Sequence, residues 1–428
     1  MSDDQFDAIV VGAGCAGAVA AYRLASAGRS VLVVERGNYA GAKNMTGGRI
    51  YTHALARVFP DFEGSAPLQR RITHEKISMA APDALFTMDF TADELRESGK
   101  DSYAVLRGPF DQWLAEEAGA DFIYGIAVED LIVRDGRVCG VVAGGDEVEA
   151  RITVLADGAN SLLAQKAGLA DDVPLPCQMA VGAKETIALP PSVIEDRFLC
   201  APGEGAAWMF AGDCTKGRVG GGFLYTNDDS ISLGLVATLS DLAAGDVPIY
   251  QMLEDFKQRA DIAPLVKGGE LVEYSGHLVP EGGLAMVPRL YGDGVLVCGD
   301  AAMLCMNLGY SVRGMDFAVS SGDLAADAVM RALEADDVSA AQLAAYAQLL
   351  DGCYVLQDLK RFRRFPRYME ETTRIFNEYP AMARDIMLNL FKVDGHPQAR
   401  IKDKLLGPLK RVGLWRVAQD GRKGMKAL

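Results

Sequence analysis

The chain opens on a block pattern of apolar and small residues. Residues 7–11 (DAIVV) predict a buried strand, 18–27 (AVAAYRLASA) a small-residue helix and 30–34 (SVLVV) a second strand. The first strand and the helix are bridged by Gly12, Ala13, Gly14, Cys15, Ala16 and Gly17. Gly12 permits a tight turn, Gly14 lets the backbone approach a pyrophosphate, and Gly17 allows close helix-to-strand packing, with the phosphates on the helix N-terminus. The second strand ends in Glu35, followed by Arg36. Glu35 stands 18 residues past Gly17, near the spacing at which an acid hydrogen-bonds an adenosine ribose.

A loop at 37–49, rich in Gly and Asn, follows. It is longer than ordinary connections, which marks it as functional. Arg107 leads into a predicted helix over 110–118. Runs at 121–124, 137–143 and 148–156 predict a small antiparallel ribbon that returns to the main sheet, and Asp157 to Ser161 lead on into another helix. Strand patterns at 180–189, 207–211, 220–225, 231–238 and 271–279, with a helix near 249–259, predict a separate and mostly antiparallel sheet. Residues 294–298 (GVLVC) read as another buried strand, 312–333 as a long helix, and the remainder from about 339 as helical and polar. The expected fold is α/β. Segments 1–70, 104–172 and 285–338 form a Rossmann-type domain, 71–103 and 173–284 an inserted antiparallel domain, and 339–428 a helical, basic C-terminal region.

A length of 428 residues, half of them hydrophobic, suits two or three structural units. The first strand begins too early to leave room for a signal peptide, and no apolar run reaches the roughly 18 residues of a membrane span. A cytoplasmic protein is the expectation. Eight cysteines lie scattered without a C-x-x-C pair, which argues against a structural zinc, a dithiol centre or a ferredoxin-type cluster on this chain. The four histidines, at 53, 74, 277 and 396, form no metal or triad pattern and read as structural. No metal site, catalytic acid, base or nucleophile, or nucleic-acid partner is expected.

Charge is unevenly spread. Residues 360–428 hold 17 Lys and Arg against 7 Asp and Glu, a net +10, so the preceding 359 carry −25 of the total −15. Within the basic tail, 354–376 (YVLQDLKRFRRFPRYMEETTRIF) interleaves aromatics and arginines. That composition suits either solvated helix faces or an anionic bilayer or acidic partner.

The second informative motif, Val297-Cys298-Gly299-Asp300-Ala301-Ala302, ends the strand at 294–298. Asp300 would project into the ligand crevice of the sheet. A single nicotinamide unit has no obvious use for a second acid there, whereas the ribityl hydroxyls of an extended flavin want an acceptor. Paired with the N-terminal glycines, the motif reads as one bound FAD.

Three boxes in this order, GAGCAG with Glu35, ADGANS at 156–161 and CGDAA at 298–302, resemble the FAD-dependent superfamily that includes p-hydroxybenzoate hydroxylase and the geranylgeranyl reductases. Longer strings resemble, within it, the FixC branch of the electron-transfer-flavoprotein:quinone oxidoreductase family. They are GAKNMTGGR at 41–49, ITHEK at 72–76, SVIEDRF at 192–198, GGGFLYTN at 220–227, QMLEDFKQ at 251–258 and MNLGYSVRGMDFA at 306–318. The resemblance implies that Arg107 and Asp157 contact the FAD and that Gly47 and Gly48 pass close to its isoalloxazine ring, where only glycine leaves room. It implies that the backbone at Val128 lies near the adenine. Asn307, Leu308 and Gly309 would meet the pyrimidine side, leading into a helix whose N-terminus favours negative charge at N1 and O2. Trp208 stands where related reductases put aromatics over a lipid pocket, and reads equally as an ordinary sheet-core aromatic.

The implied activity is electron transfer from an electron-transfer flavoprotein through FAD to a membrane quinone, alongside a ferredoxin-like iron–sulfur protein, with an electron-bifurcating assembly as one version. The enzyme would sit in the cytoplasm, in peripheral contact with the inner face of the membrane through 354–376. The mitochondrial-type enzyme carries an iron–sulfur domain at its C-terminus; here the last cysteine is Cys353, so the cluster belongs to a separate subunit. A geranylgeranyl-reductase-like activity is disfavoured by the absence of a cysteine at 44–48. A flavin monooxygenase is disfavoured by the absence of a second G-x-G-x-x-G.

Overall fold

The computed structural model describes residues 5–45, 48–170 and 173–428. Two sheets and a C-terminal set of helices account for the predicted blocks. In the first sheet, Phe6–Val11 lies between Val31–Glu35 and Asp146–Leu155, all parallel, and Val295–Val297 extends it beyond Asp146–Leu155. These strands are buried on both faces, as continuous apolar runs require.

Asp121–Tyr124 departs from the expected ribbon: it runs parallel to Val31–Glu35 at the edge of the main sheet. Its place is taken by Val128–Arg134, which pairs antiparallel with Arg137–Ala143, and that strand pairs with the first half of Asp146–Leu155. A four-residue strand is too short for its period to reveal which sheet it joins.

Among the described residues the second sheet has nine strands. Glu270–Pro280, Met179–Ala188, Ser230–Thr238, Gly220–Thr226 and Glu204–Gly212 follow one another antiparallel, and Glu204–Gly212 then pairs parallel with Leu68–Ala81. Beyond that strand lie Ser102–Val105 and Gly48–Tyr51. The short strands at 48–51 and 104–105, expected with the dinucleotide-binding part, thus hydrogen-bond into the second sheet and tie the two together. One face of it packs Leu233, Leu235, Trp208 and Phe210 against Met252 and Phe256 of the helix Ile249–Lys257.

The small-residue helix, Cys15–Ser26, packs against the long helix Met315–Glu334. The contact is close enough that a Cβ on Gly322 would fall 2.1 Å from the Ala16 carbonyl oxygen. The long helix starts later than expected because Val312–Arg313 pairs with Met306–Asn307 as a hairpin, while the helix after Arg107 starts earlier, as Arg107–Glu117.

From Ala340 onward the chain is helical. Within 354–376 the aromatic pattern turns inward: Val355, Leu356, Leu359, Phe365 and Phe376 are buried while Arg361, Arg363, Arg364 and Arg367 are exposed. Arg374 makes a two-pronged ion pair with buried Asp420, at 2.6 and 2.7 Å. Among the described residues no helix is long and apolar enough to cross a membrane.

Candidate cofactor cavity

A cavity of about 420 Å³ opens at the C-terminal ends of the parallel strands. Gly12, Gly14, Cys15, Ala16, Glu35 and Arg36 line it from the first βαβ unit, and Arg107, Val128, Asp157 and Asp300 from distant parts of the chain. Ala13, Gly17 and Gly299 stand behind this wall and shape it. Gly12 has φ +98°, and a Cβ there would meet the Ala156 carbonyl oxygen at 2.5 Å. A Cβ on Gly17 would lie 2.0 Å from the Gly12 carbonyl oxygen. Gly299, at φ +63°, donates its N–H to Ser321 Oγ at 2.9 Å.

Gly47 lies outside the described residues. Gly48, Asn307, Leu308 and Gly309 do not line the cavity. Asn307 instead donates to Glu281 at 3.2 Å and receives the N–H of Gly309 at 2.9 Å, and Leu308 is buried. Burial pushes the Glu281 carboxyl up to about 7, against the Asn307 hydrogen bond. The helix start expected beside Asn307 is delivered by Gly314 and Met315, which do line the cavity. Trp208 faces the helix-covered side of the second sheet, where its Nε1 donates to Ser78 at 2.7 Å. It is a core aromatic there, not a lid on a lipid pocket.

Glu35 accepts from the Ala13 N–H at 2.8 Å and from the Gly37 N–H at 2.6 Å. Each oxygen keeps a lone pair for a further donor. Arg107 makes two 2.9 Å hydrogen bonds to Asp111, which also accepts from the Asn44 amide and, at 3.6 Å, from the Cys15 thiol. Burial opposes the charge of Arg107, but Asp111 above all, with Asp300, outweighs it and holds the guanidinium firmly protonated. Burial pushes the Cys15 thiol far up, with Asp111 adding to the effect against Arg107, so it is not a nucleophile. Burial also raises Asp157, opposed by the 2.7 Å hydrogen bond from Ser161, and raises Asp300, opposed by Arg107 and His277.

Sequence reasoning missed Asp111, Asn44 and His277. The i, i+4 spacing of Arg107 and Asp111 on one helix was a usable signal; His277 had none, because only the folded sheet brings Glu270–Pro280 to the cavity.

The cavity fits an extended dinucleotide. Among the described residues no side chain caps the helix Cys15–Ser26, which leaves its first N–H groups for a pyrophosphate. A Cβ on Gly14 would narrow the slot towards Arg107 Nη2 to 3.6 Å. Two acids, Glu35 and Asp300, line the cavity from different strand ends.

Two family models match the chain: FAD dependent oxidoreductase over residues 7–88 and the ETF-QO/FixC family C-terminal domain over residues 365–428. The chain is 50% identical to a probable electron transfer flavoprotein-quinone oxidoreductase, YdiS, and to protein FixC, both of Escherichia coli K12, with 100% of each chain covered. Among solved structures, a geranylgeranyl bacteriochlorophyll reductase-like protein from Thermoplasma acidophilum superposes with a TM-score of 0.70 at 18% identity, covering 98% of this chain and 99% of that one. At that identity the likeness is one of fold.

Proposed function

The chain belongs to the electron-transfer-flavoprotein:quinone oxidoreductase/FixC family of FAD-dependent oxidoreductases, and on that premise we propose that it accepts electrons from an electron-transfer flavoprotein and delivers them through FAD to a membrane quinone. The observation that carries the reading is 50% identity, over the full length of both chains, to a relative named for that reaction. FAD, when bound, supplies the electron-transfer chemistry. The residues around it bind and orient: the free helix N-terminus and Arg107 take the pyrophosphate, Glu35 the ribose, Asp300 the ribityl chain. Asp111 locks Arg107 so that its charge faces the cavity. With Cys15 buried and protonated, the site favours electron transfer over covalent catalysis.

A separate ferredoxin-like subunit, in an assembly that could also bifurcate electrons, follows from the same reading. The cysteines of this chain are free and scattered, so a cluster would have to come from a partner.

Contact with an anionic bilayer surface completes the reading, but its best-supported place lies beyond 354–376. Exposed apolar side chains gather where Glu378–Phe391 turns back into Ile401–Val412: Leu388, Phe391, Val393 and Ile401. Lys392, Arg400, Lys402 and Lys404 flank them, outnumbering Asp394, which pairs with Lys392, and Asp403. An apolar tip with a basic collar on an acidic body is the composition of an interfacial segment.

Anaerobic stopped-flow reduction tests the main reading. Reduced electron-transfer flavoprotein is expected to bleach the bound flavin much faster than NADH or NADPH does. Rapid bleaching by NADPH alone would replace the reading with a monooxygenase.

A further inference from the structure

His277 lines the cavity and has no part in the binding roles above. His277 sits on Glu270–Pro280, opposite Gly182 of Met179–Ala188, and its side chain reaches from the second sheet into the wall of the dinucleotide cavity. It shares that wall with Asp300 and with Gly314 and Met315 at the start of the long helix. The charged groups acting on it are Asp300 from the turn Gly299–Ala302, Arg107 from the helix Arg107–Glu117, and Arg36 past the second strand. On the neighbouring strand, Lys184 is governed by burial and Glu273, not by His277.

The geometry points to His277 as the proton-holding group of the cavity: it binds a proton from water when the flavin is reduced and releases it when the flavin is reoxidised. This rests on the FAD-binding part of the proposed function and not on the identity of the electron donor or acceptor. Burial, Arg107 and Arg36 hold His277 below its ordinary range despite Asp300, so the imidazole of the oxidised protein is neutral at pH 7 with a free ring nitrogen. Two electrons with one proton on the flavin ring leave one added negative charge in the cavity. That charge acts on His277 as a second Asp300 would, favouring its protonated form. The second proton comes from water and goes to the free ring nitrogen; no bond of His277 breaks, and charge balances. Arg107 cannot substitute, because it is already protonated.

The test is spectroelectrochemical titration of the FAD-loaded protein from about pH 6 to 8, in wild type and His277→Gln. Wild type is expected to take up close to two protons per two electrons near neutral pH, and the variant one. A histidine serving only packing would not move this stoichiometry. Equal pH slopes in two FAD-loaded proteins would overturn the inference. Should the variant lose FAD, wild type alone decides: NMR titration of the four histidines, with His53, His74 and His396 assigned by their own substitutions, should show the His277 pKa rising on dithionite reduction. An unchanged pKa would overturn the inference equally. Neither measurement uses an electron-transfer flavoprotein or a quinone, so inactivity towards those partners would count against the proposed function and leave His277 standing.

Discussion

The carboxylate of Glu35 accepts a 2.8 Å hydrogen bond from the backbone N–H of Ala13, in the middle of the glycine loop. Glu35 therefore shapes the loop as well as offering an acceptor to a ribose. A charge-assisted hydrogen bond of this kind contributes about 1.5–3 kcal/mol. Glu35→Ala should lose FAD and also lower the melting temperature of the FAD-depleted protein. A variant that melts like wild type without FAD would restrict Glu35 to cofactor binding.

Asp111 is the shared acceptor of Arg107, Asn44 and Cys15. Removing it leaves unpaired a guanidinium only one-fifth exposed, at a cost of up to about 3–5 kcal/mol. Asp111→Ala should destabilise the protein more than Arg107→Ala does, by chemical denaturation, and both should lose FAD. Equal destabilisation would mean that the two residues matter only as a cofactor clamp.

Lys184 is fully buried on the second sheet, and its ammonium has no hydrogen-bond partner among the described residues. Burial, opposed by Glu273, pushes it down to about 8 from 10.5. The unfolded chain thus holds a proton that the native state gives up between those values, and the folded state is penalised wherever Lys184 is charged. The penalty is about 3 kcal/mol below pH 8 and fades as pH rises to 10.5. Lys184→Met should raise the unfolding free energy at pH 7 by up to that amount, with the gain shrinking towards pH 10. A pH-independent effect would contradict the buried-charge account.

Flotation with anionic liposomes separates the two candidate membrane contacts. Phe391→Ser with Val393→Ser should abolish flotation, whereas replacing Arg361, Arg363, Arg364 and Arg367 by Gln should weaken it only at low salt. The reverse ranking would return the contact to 354–376.

The first βαβ unit was legible because each of its signals is local: apolar runs, glycines at the turn, an acid at the strand end. Five strands of the second sheet, those at 179–188, 204–212, 220–226, 230–238 and 270–280, were legible to within a few residues for the same reason, whereas Leu68–Ala81 and Ala84–Phe90 were not among the runs read. Which sheet a short strand joins was not legible, as Asp121–Tyr124 and Gly48–Tyr51 show, because a four-residue run is compatible with either partner. The Asp300 wall could be read from a strand-end motif. His277 could not, since its role arises only when a strand of the other sheet crosses to the cavity. The aromatics of 354–376 left the contact open, because an amphipathic pattern does not say whether its apolar side meets lipid or the protein's own core.

The order of the first sheet also governs how the protein is made. Asp146–Leu155 must hold Phe6–Val11 on one edge and Val295–Val297 on the other, so the acid at 300 joins the cavity only after the ribosome has produced every strand of the second sheet. A nascent chain that stops earlier carries the glycine loop with one edge of its sheet bare, a template for aggregation. Closing a loop of this length is slow. The wall of the cavity that Asp300 supplies is therefore complete only when about seven-tenths of the chain has been made.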